Sequence, residues 1–365
     1  MTRFPRLLNA LLCASLCLTS MACDKPPAAK PTSEAPVAQP APDAPATPAT
    51  PTAKVVDTDA QWEATKKELA GLVGEPIIFR VTRDAVSMDG KKIVGLTQGV
   101  VDPSLKPGGA QSFTVKPVQE AAEASYKVLQ QKKAKQPDSL NTAPRTFVFV
   151  DADVPTATFS SVLFSLSQGQ LMLNRVAVAR PDGGVDVFKL SPASLNIGPP
   201  SDEWLKEVGV SVVTTPKGFT VLHGKLNERE ENPESTNVQT VAIPLKAGSD
   251  MTKALDAYNK ASDKTQRMAA LAAMEQAYDT RALYAQLLKV KALYPDLEII
   301  QYSAIRELPV DMVAMLARVG RFKRKGAFTD DASFAAAARP QTVVDSCQPV
   351  DGESICLFPY AVYNY

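Results

Sequence analysis
The sequence predicts an α+β fold built from two modules, and three observations predict it. Short runs rich in β-branched and aromatic residues (PIIFRV at Pro76–Val81, FVFV at Phe147–Val150, LEIIQY at Leu297–Tyr302) are bounded by turn residues, as strands are. Between them apolar residues recur at helical spacing, for example Phe159, Val162, Leu163 and Leu166. The same local order then returns in the second half: a Pro-Asp stop (Pro137-Asp138; Pro295-Asp296), an apolar strand, a short turn, and a helix opened by proline (Pro155; Pro309). That recurrence suggests a diverged tandem duplication.

In the first half, Pro76–Val81 reads as a strand, and Asp89-Gly90 as a hairpin turn leading to a partner strand near Ile93-Val94. Val118, Ala122, Tyr126 and Leu129 mark a helix that Gln136-Pro137-Asp138 ends. The continuous apolar run Phe147–Val150 suits a strand buried on both faces. Pro155 suits a first helical turn, Gln168-Gly169-Gln170 closes that helix, and Leu171–Ala179 reads as a strand. The order is β-β-α-β-α-β.

In the second half, Val210–Val213 and Phe219–Leu222 read as paired strands, Asn227–Asn237 as a polar loop, and Val241–Pro244 as a short strand. A helical region from about Met251 to Ala292 falls in two or three pieces, one face carrying Leu283, Leu287, Val290 and Tyr294. Leu297–Tyr302 is a strand, and Pro309 opens a helix with Val313, Leu316 and Ala317 on its apolar face. Leu357–Tyr363 reads as a final strand that Pro359 would confine to an edge.

The N-terminal stretch reads as an export signal over residues 1–22. Arg3 and Arg6 precede an apolar run, Leu7–Thr19, and Ser20-Met21-Ala22 is a small-x-small cleavage site. That run is well short of the roughly 20 residues needed to span a bilayer. Cys23 follows at a lipobox-like position and is the expected lipidation site, with a soluble exported chain as the alternative. Residues 23–73 are expected to be a linker, since Asp24–Lys54 is almost entirely Pro, Ala, Thr, Ser and Asp. Such a composition cannot bury enough apolar surface to fold, and favours an extended polyproline form of about 3.1 Å per residue. Modules are then expected over 74–182 and 183–365.

With 40 basic and 39 acidic residues well mixed, no basic stripe marks a nucleic-acid partner. Cys347 and Cys356 are expected to form a disulfide in an oxidising compartment. The lone His223 and so few cysteines do not fill a zinc site, and no cofactor fingerprint is present.

The segment FVFVDADVPTATF (Phe147–Phe159) resembles the periplasmic-domain motif of the ExbD/TolR family, with Asp151, Val154 and Pro155 at the family's spacing. The Ile77–Gly90 and Leu171–Ala179 segments resemble the opening and closing strands of that domain, so the likeness covers about residues 74–182. LEIIQY and LPVDMV resemble it more faintly in the second half, where Ile305 replaces the Asp. The resemblance implies the family's periplasmic fold in two tandem copies. It also implies dimerisation and engagement of peptidoglycan or of motor partners of the ExbB/TolQ or TonB-like type. The family's transmembrane helix with its proton-accepting Asp has no counterpart, which argues against proton translocation.

The candidate chemical groups each carry two readings. Asp151 and Asp153 could form an acid–base pair; the expected role is structural, bonding backbone N–H groups at a strand-to-helix turn. His223 reads as an ordinary strand residue, since no nucleophile elbow accompanies it. Arg318, Arg321, Lys323, Arg324 and Lys325 read as cations at a helix C-terminus, or as a contact for anionic lipid or cell-wall polymer. The expectation is a non-enzymatic periplasmic lipoprotein that binds protein or cell wall, membrane-held through Cys23 and able to homodimerise. The alternatives are a structural envelope lipoprotein with no motor partner and an envelope hydrolase with an unrecognised site.

Overall fold
The computed structural model describes residues 58–73, 77–135, 146–171, 173–180, 184–188, 190–192, 207–232, 235–321, 357–358 and 360–363. The expected signal, Cys23, the disulfide cysteines Cys347 and Cys356, and Lys323, Arg324 and Lys325 lie outside these residues, as does the Arg321 side chain. No described helix is long and apolar enough to cross a membrane. The fold is mixed α+β, with two sheets and eight α-helices among the described residues.

The first sheet has the order β4-β3-β2-β1-β5-β6-β7. Its strands are β1 (Ile77–Val81), β2 (Ala85–Met88), β3 (Lys91–Thr97), β4 (Val100–Val101), β5 (Thr146–Asp151), β6 (Leu173–Ala179) and β7 (Val185–Phe188). β1 is antiparallel to β2, and parallel to β5, which is parallel to β6. Every residue of β5 is buried, as its unbroken apolar run requires. The Asp89-Gly90 turn has φ of 47° and 83°, the paired positive values of a tight hairpin, but it joins β2 to β3. The strand before this turn is therefore not Pro76–Val81; the short β2 intervenes.

Helices α2 (Lys116–Lys135) and α3 (Thr156–Gln168) lie on the face of this sheet that joins the main core. The opposite face is covered by α1 (Thr58–Val73), whose Trp62 packs edge-on against Phe149 at 5.0 Å. The expected linker to residue 73 thus stops earlier. Thr58–Val73 contains no proline, and Trp62 supplies the apolar area that the Pro/Ala segment lacks.

The second sheet has the order β11-β10-β9-β12-β13-β8, from β8 (Leu190–Pro192), β9 (Gly209–Thr215), β10 (Gly218–Gly224), β11 (Val238–Pro244), β12 (Ile299–Ala304) and β13 (Tyr360–Tyr363). Here too a three-stranded antiparallel meander, β9-β10-β11, leads with a strand that has a parallel neighbour, β12, which is in turn parallel to β13. Strand order and direction from β3 to β6 therefore match those from β11 to β13. The helices are α4 (Leu226–Glu231), α5 (Met251–Lys260), α6 (Lys264–Ala277), α7 (Thr280–Leu293) and α8 (Asp311–Arg321). Asp250, Asp263 and Asp279 each cap one of the three consecutive helices by accepting a backbone N–H bond of the first turn.

Two expectations are corrected. The Asn227–Asn237 segment is not wholly a loop, because α4 occupies Leu226–Glu231; Leu226, 9 % exposed, anchors it against β9. β13 is not an edge strand: its described residues, Tyr360–Tyr363, contain no proline and lie between β12 and β8. Both sheets lie in one compact unit and share one continuous cluster of buried side chains, from Phe79 and Phe159 to Tyr302 and Tyr363.

Candidate functional site
The motif residues Asp151, Val154 and Pro155 lie where the two sheets meet. Val154 is fully buried, and Pro155 is the N-cap of α3. Pro155 faces Pro309, the proline before α8, in an isolated antiparallel bridge. The exchange is reciprocal: Thr156 N–H donates to Leu308 O at 2.9 Å, and Val310 N–H donates to Val154 O at 2.8 Å. A second pair flanks it, Ala157 N–H to Arg306 O at 3.3 Å and Asp311 N–H to Ala152 O at 3.2 Å. The two helix-opening turns thus meet about a local pseudo-two-fold. Each turn gives carbonyl acceptors to N–H donors at the start of the other helix, donors that Pro155 and Pro309, with no side-chain acceptor, cannot cap.

Two clusters of charge flank this bridge. In the first, Asp153, 2 % exposed, accepts from Arg267 Nε of α6 at 2.7 Å. Its backbone carbonyl accepts from Tyr258 Oη at 2.7 Å and Arg83 Nη1 at 3.0 Å, so α5, α6 and the β1–β2 turn converge on one residue. Burial pushes the Tyr258 hydroxyl up to about 12, which keeps it a donor at neutral pH. Asp151 ends β5 with Lys264 Nζ at 3.8 Å, while its Oδ1 is buried without a hydrogen-bond partner among the described residues. The expected bonding of these carboxylates to local backbone N–H groups is replaced by long-range ion pairs. Pro155 already takes the cap position, and the basic residues of α6 approach from the other sheet.

Burial pushes Asp151 up to about 6, with Lys264 opposing and Asp153 adding to the rise. The folded chain therefore holds this proton more tightly than the unfolded chain does. The stability that Asp151 contributes should be greatest below about pH 4, fall as pH rises through about 6, and stay lower above it. The loss is on the order of 3 kcal/mol at most. Asp151→Asn is expected to remove that decline, raising the urea midpoint at pH 7.5 while leaving it nearly unchanged at pH 4. Parallel midpoint-versus-pH curves for the two proteins would refute the assignment.

The second cluster was not legible as a site in the sequence. Arg318 of α8 reaches Asp186 of β7 (Nε to Oδ2, 3.0 Å) and pairs with Glu275 of α6. Arg180 lies 3.4 Å from the other Asp186 oxygen. Asp311 is fully buried in the same field, with neither carboxylate oxygen hydrogen-bonded among the described residues. Burial, reinforced by Glu275, raises Asp311 well above the usual carboxylate range. Burial alone would lower Arg318, but Glu275 and Asp186 more than offset it and hold the guanidinium charged. Arg318, read from sequence as one of a run of surface cations, is instead an interior tie between the sheets.

His223 is buried in β10, its ring 6.0 Å from Tyr294, and burial lowers its pKa below the ordinary value. Among the described residues no group of His, Cys, Asp and Glu is arranged to hold a metal ion. A groove of about 420 Å³ opens beside the first residues of β9 and β12, lined in part by Glu207, Leu226, Asp296, Glu298 and Ile299. Compared with known proteins, the chain matches no family model, no curated protein and no solved structure.

Proposed function
We propose that the chain is a non-enzymatic binding protein of the bacterial envelope, carried on its periplasmic side by a lipid on Cys23. In this reading it is two diverged ExbD/TolR-like modules in tandem, an accessory or diverged component of a biopolymer transport system. The observation that supports it is the reciprocal bridge at Pro155 and Pro309 between two sheets of matching strand order. Both prolines open the helix that follows the central parallel strand of their sheet, so the motif position of one half meets its counterpart in the other.

Binding is favoured over catalysis by where the polar groups are used. Asp153, Arg267, Arg83 and Tyr258 are committed to one another in holding the sheets together. The second sheet also ends in β11, a seven-residue strand, VQTVAIP, with no charged side chain. Edge strands are normally protected by charge, and an unprotected one can accept a strand from a partner chain.

The test is in-cell crosslinking, purification of the tagged protein and mass spectrometry. ExbB/TolQ-type or TonB-like partners are the expected recovery. Recovery of cell-wall fragments or unrelated envelope proteins, with no motor subunit, would replace the motor reading with that of a structural envelope lipoprotein.

A further inference from the structure
The groove beside β9 and β12 has a shape and charge that none of the features above requires. Its floor is apolar: Val210 and Leu226 are buried there. Leu226 can lie so low because position 209 is glycine; a Cβ at Gly209 would come within 3.0 Å of Leu226 Cδ1. The short helix α4 thereby forms one wall. The other wall is the start of β12, where Ile299 is 47 % exposed. Three carboxylates stand along the rim: Glu207, Asp296 and Glu298. Among the described residues no Lys or Arg lines the groove and none of the three carboxylates is ion-paired. Lys291 Nζ donates to the carbonyl of Leu297, between Asp296 and Glu298, so three carboxylates over the apolar floor are set against one ammonium.

The geometry points to a docking groove for an extended peptide of a partner protein, one in which basic and apolar residues alternate. Alternation follows from the wall: a peptide lying along it would set every second side chain toward the Leu226 floor and Ile299, and the others toward the rim. Lysine or arginine at the rim positions meets the three carboxylates, and the apolar positions remove Ile299 from water. The electrostatic part governs capture and is sensitive to salt, while the apolar part sets the residence time. This inference rests on the binding reading above, but not on the identity of the partner.

The experiment is fluorescence anisotropy on the purified full-length protein, with a fluorescein-labelled hexapeptide of alternating Lys and Leu as the probe. Its Glu/Leu counterpart and spermidine serve as competitors, at about 50 mM salt, where exposed charges are weakly screened. The Lys/Leu peptide is expected to bind saturably, and more weakly as salt is raised. The triple variant Glu207→Gln/Asp296→Asn/Glu298→Gln should lose about tenfold in affinity, and Ile299→Ser should lose affinity without losing the salt dependence. All four positions are exposed, so thermal melts of these variants should match the parent. Three results would overturn the proposal: no saturable binding, an unchanged Kd in the triple variant, or competition by spermidine as effective as by the unlabelled Lys/Leu peptide. The last would mean a simple counter-ion surface. Motor subunits missing from the crosslinked material would refute the motor reading and leave this result untouched.

Discussion

Arg318→Met is expected to lower the unfolding free energy by about 3–5 kcal/mol, the usual cost of breaking a buried ion pair by removing one partner. Asp186 is 1 % exposed at its side chain and would keep only Arg180, at 3.4 Å; Glu275 would lose its guanidinium altogether. Methionine fills much of the same space, so lost charge rather than a cavity dominates. The cluster also predicts its own control. Two arginines balance two carboxylates, Asp186 and Glu275, which leaves Asp311, among the described residues, with no ion-pair contact and no donor to either oxygen. An unpaired buried carboxylate avoids the cost of charge by keeping its proton. Asp311→Asn should therefore change stability at pH 7 by much less than Arg318→Met. Chemical denaturation of the two variants side by side checks this. A large loss for Asp311→Asn with a small one for Arg318→Met would reverse the assignment of charges.

The second large effect is expected from Gly320→Ala. Gly320 sits in α8 where the helix crosses β12, and an added Cβ would collide with Tyr302 Oη and lie 2.9 Å from Cζ. Tyr302 is fully buried, so its ring cannot swing into solvent. Either α8 lifts from the sheet or the ring leaves its rotamer. Overpacking of this kind costs about 1–3 kcal/mol and sometimes more. The double variant Gly320→Ala/Tyr302→Phe should recover part of the loss, because the closest contact is the hydroxyl itself. Equal thermal stability of the single variant and the parent would mean that α8 does not approach β12 this closely.

How far the fold can be read from the chain follows from the range of the forces involved. β5 and α3 are legible because burial leaves a local trace. An unbroken apolar run marks a strand covered on both faces, and Phe159, Val162, Leu163 and Leu166 trace one helical face. β2 has no such trace: AVSM is four residues long and half-buried, and its presence depends on β1 and β3 on either side. α4 is similar, a short helix in a polar stretch, held by one leucine over one glycine.

By itself, the sequence determined the α+β class, the proline-opened helices, the Asp89-Gly90 turn and the recurrence of one local order in both halves. Each of these is set by neighbours within a few residues, through backbone sterics, capping and the period of apolar side chains. Only the tertiary structure decided that Pro155 and Pro309 face each other, that Asp153 pairs with Arg267 at a separation of 114 residues, and that Arg318 turns inward to Glu275 and Asp186. An arginine or aspartate reads the same in a sequence whether it is solvated or buried. What separates the two cases is a partner that arrives from a distant part of the chain, and the desolvation that follows when it does.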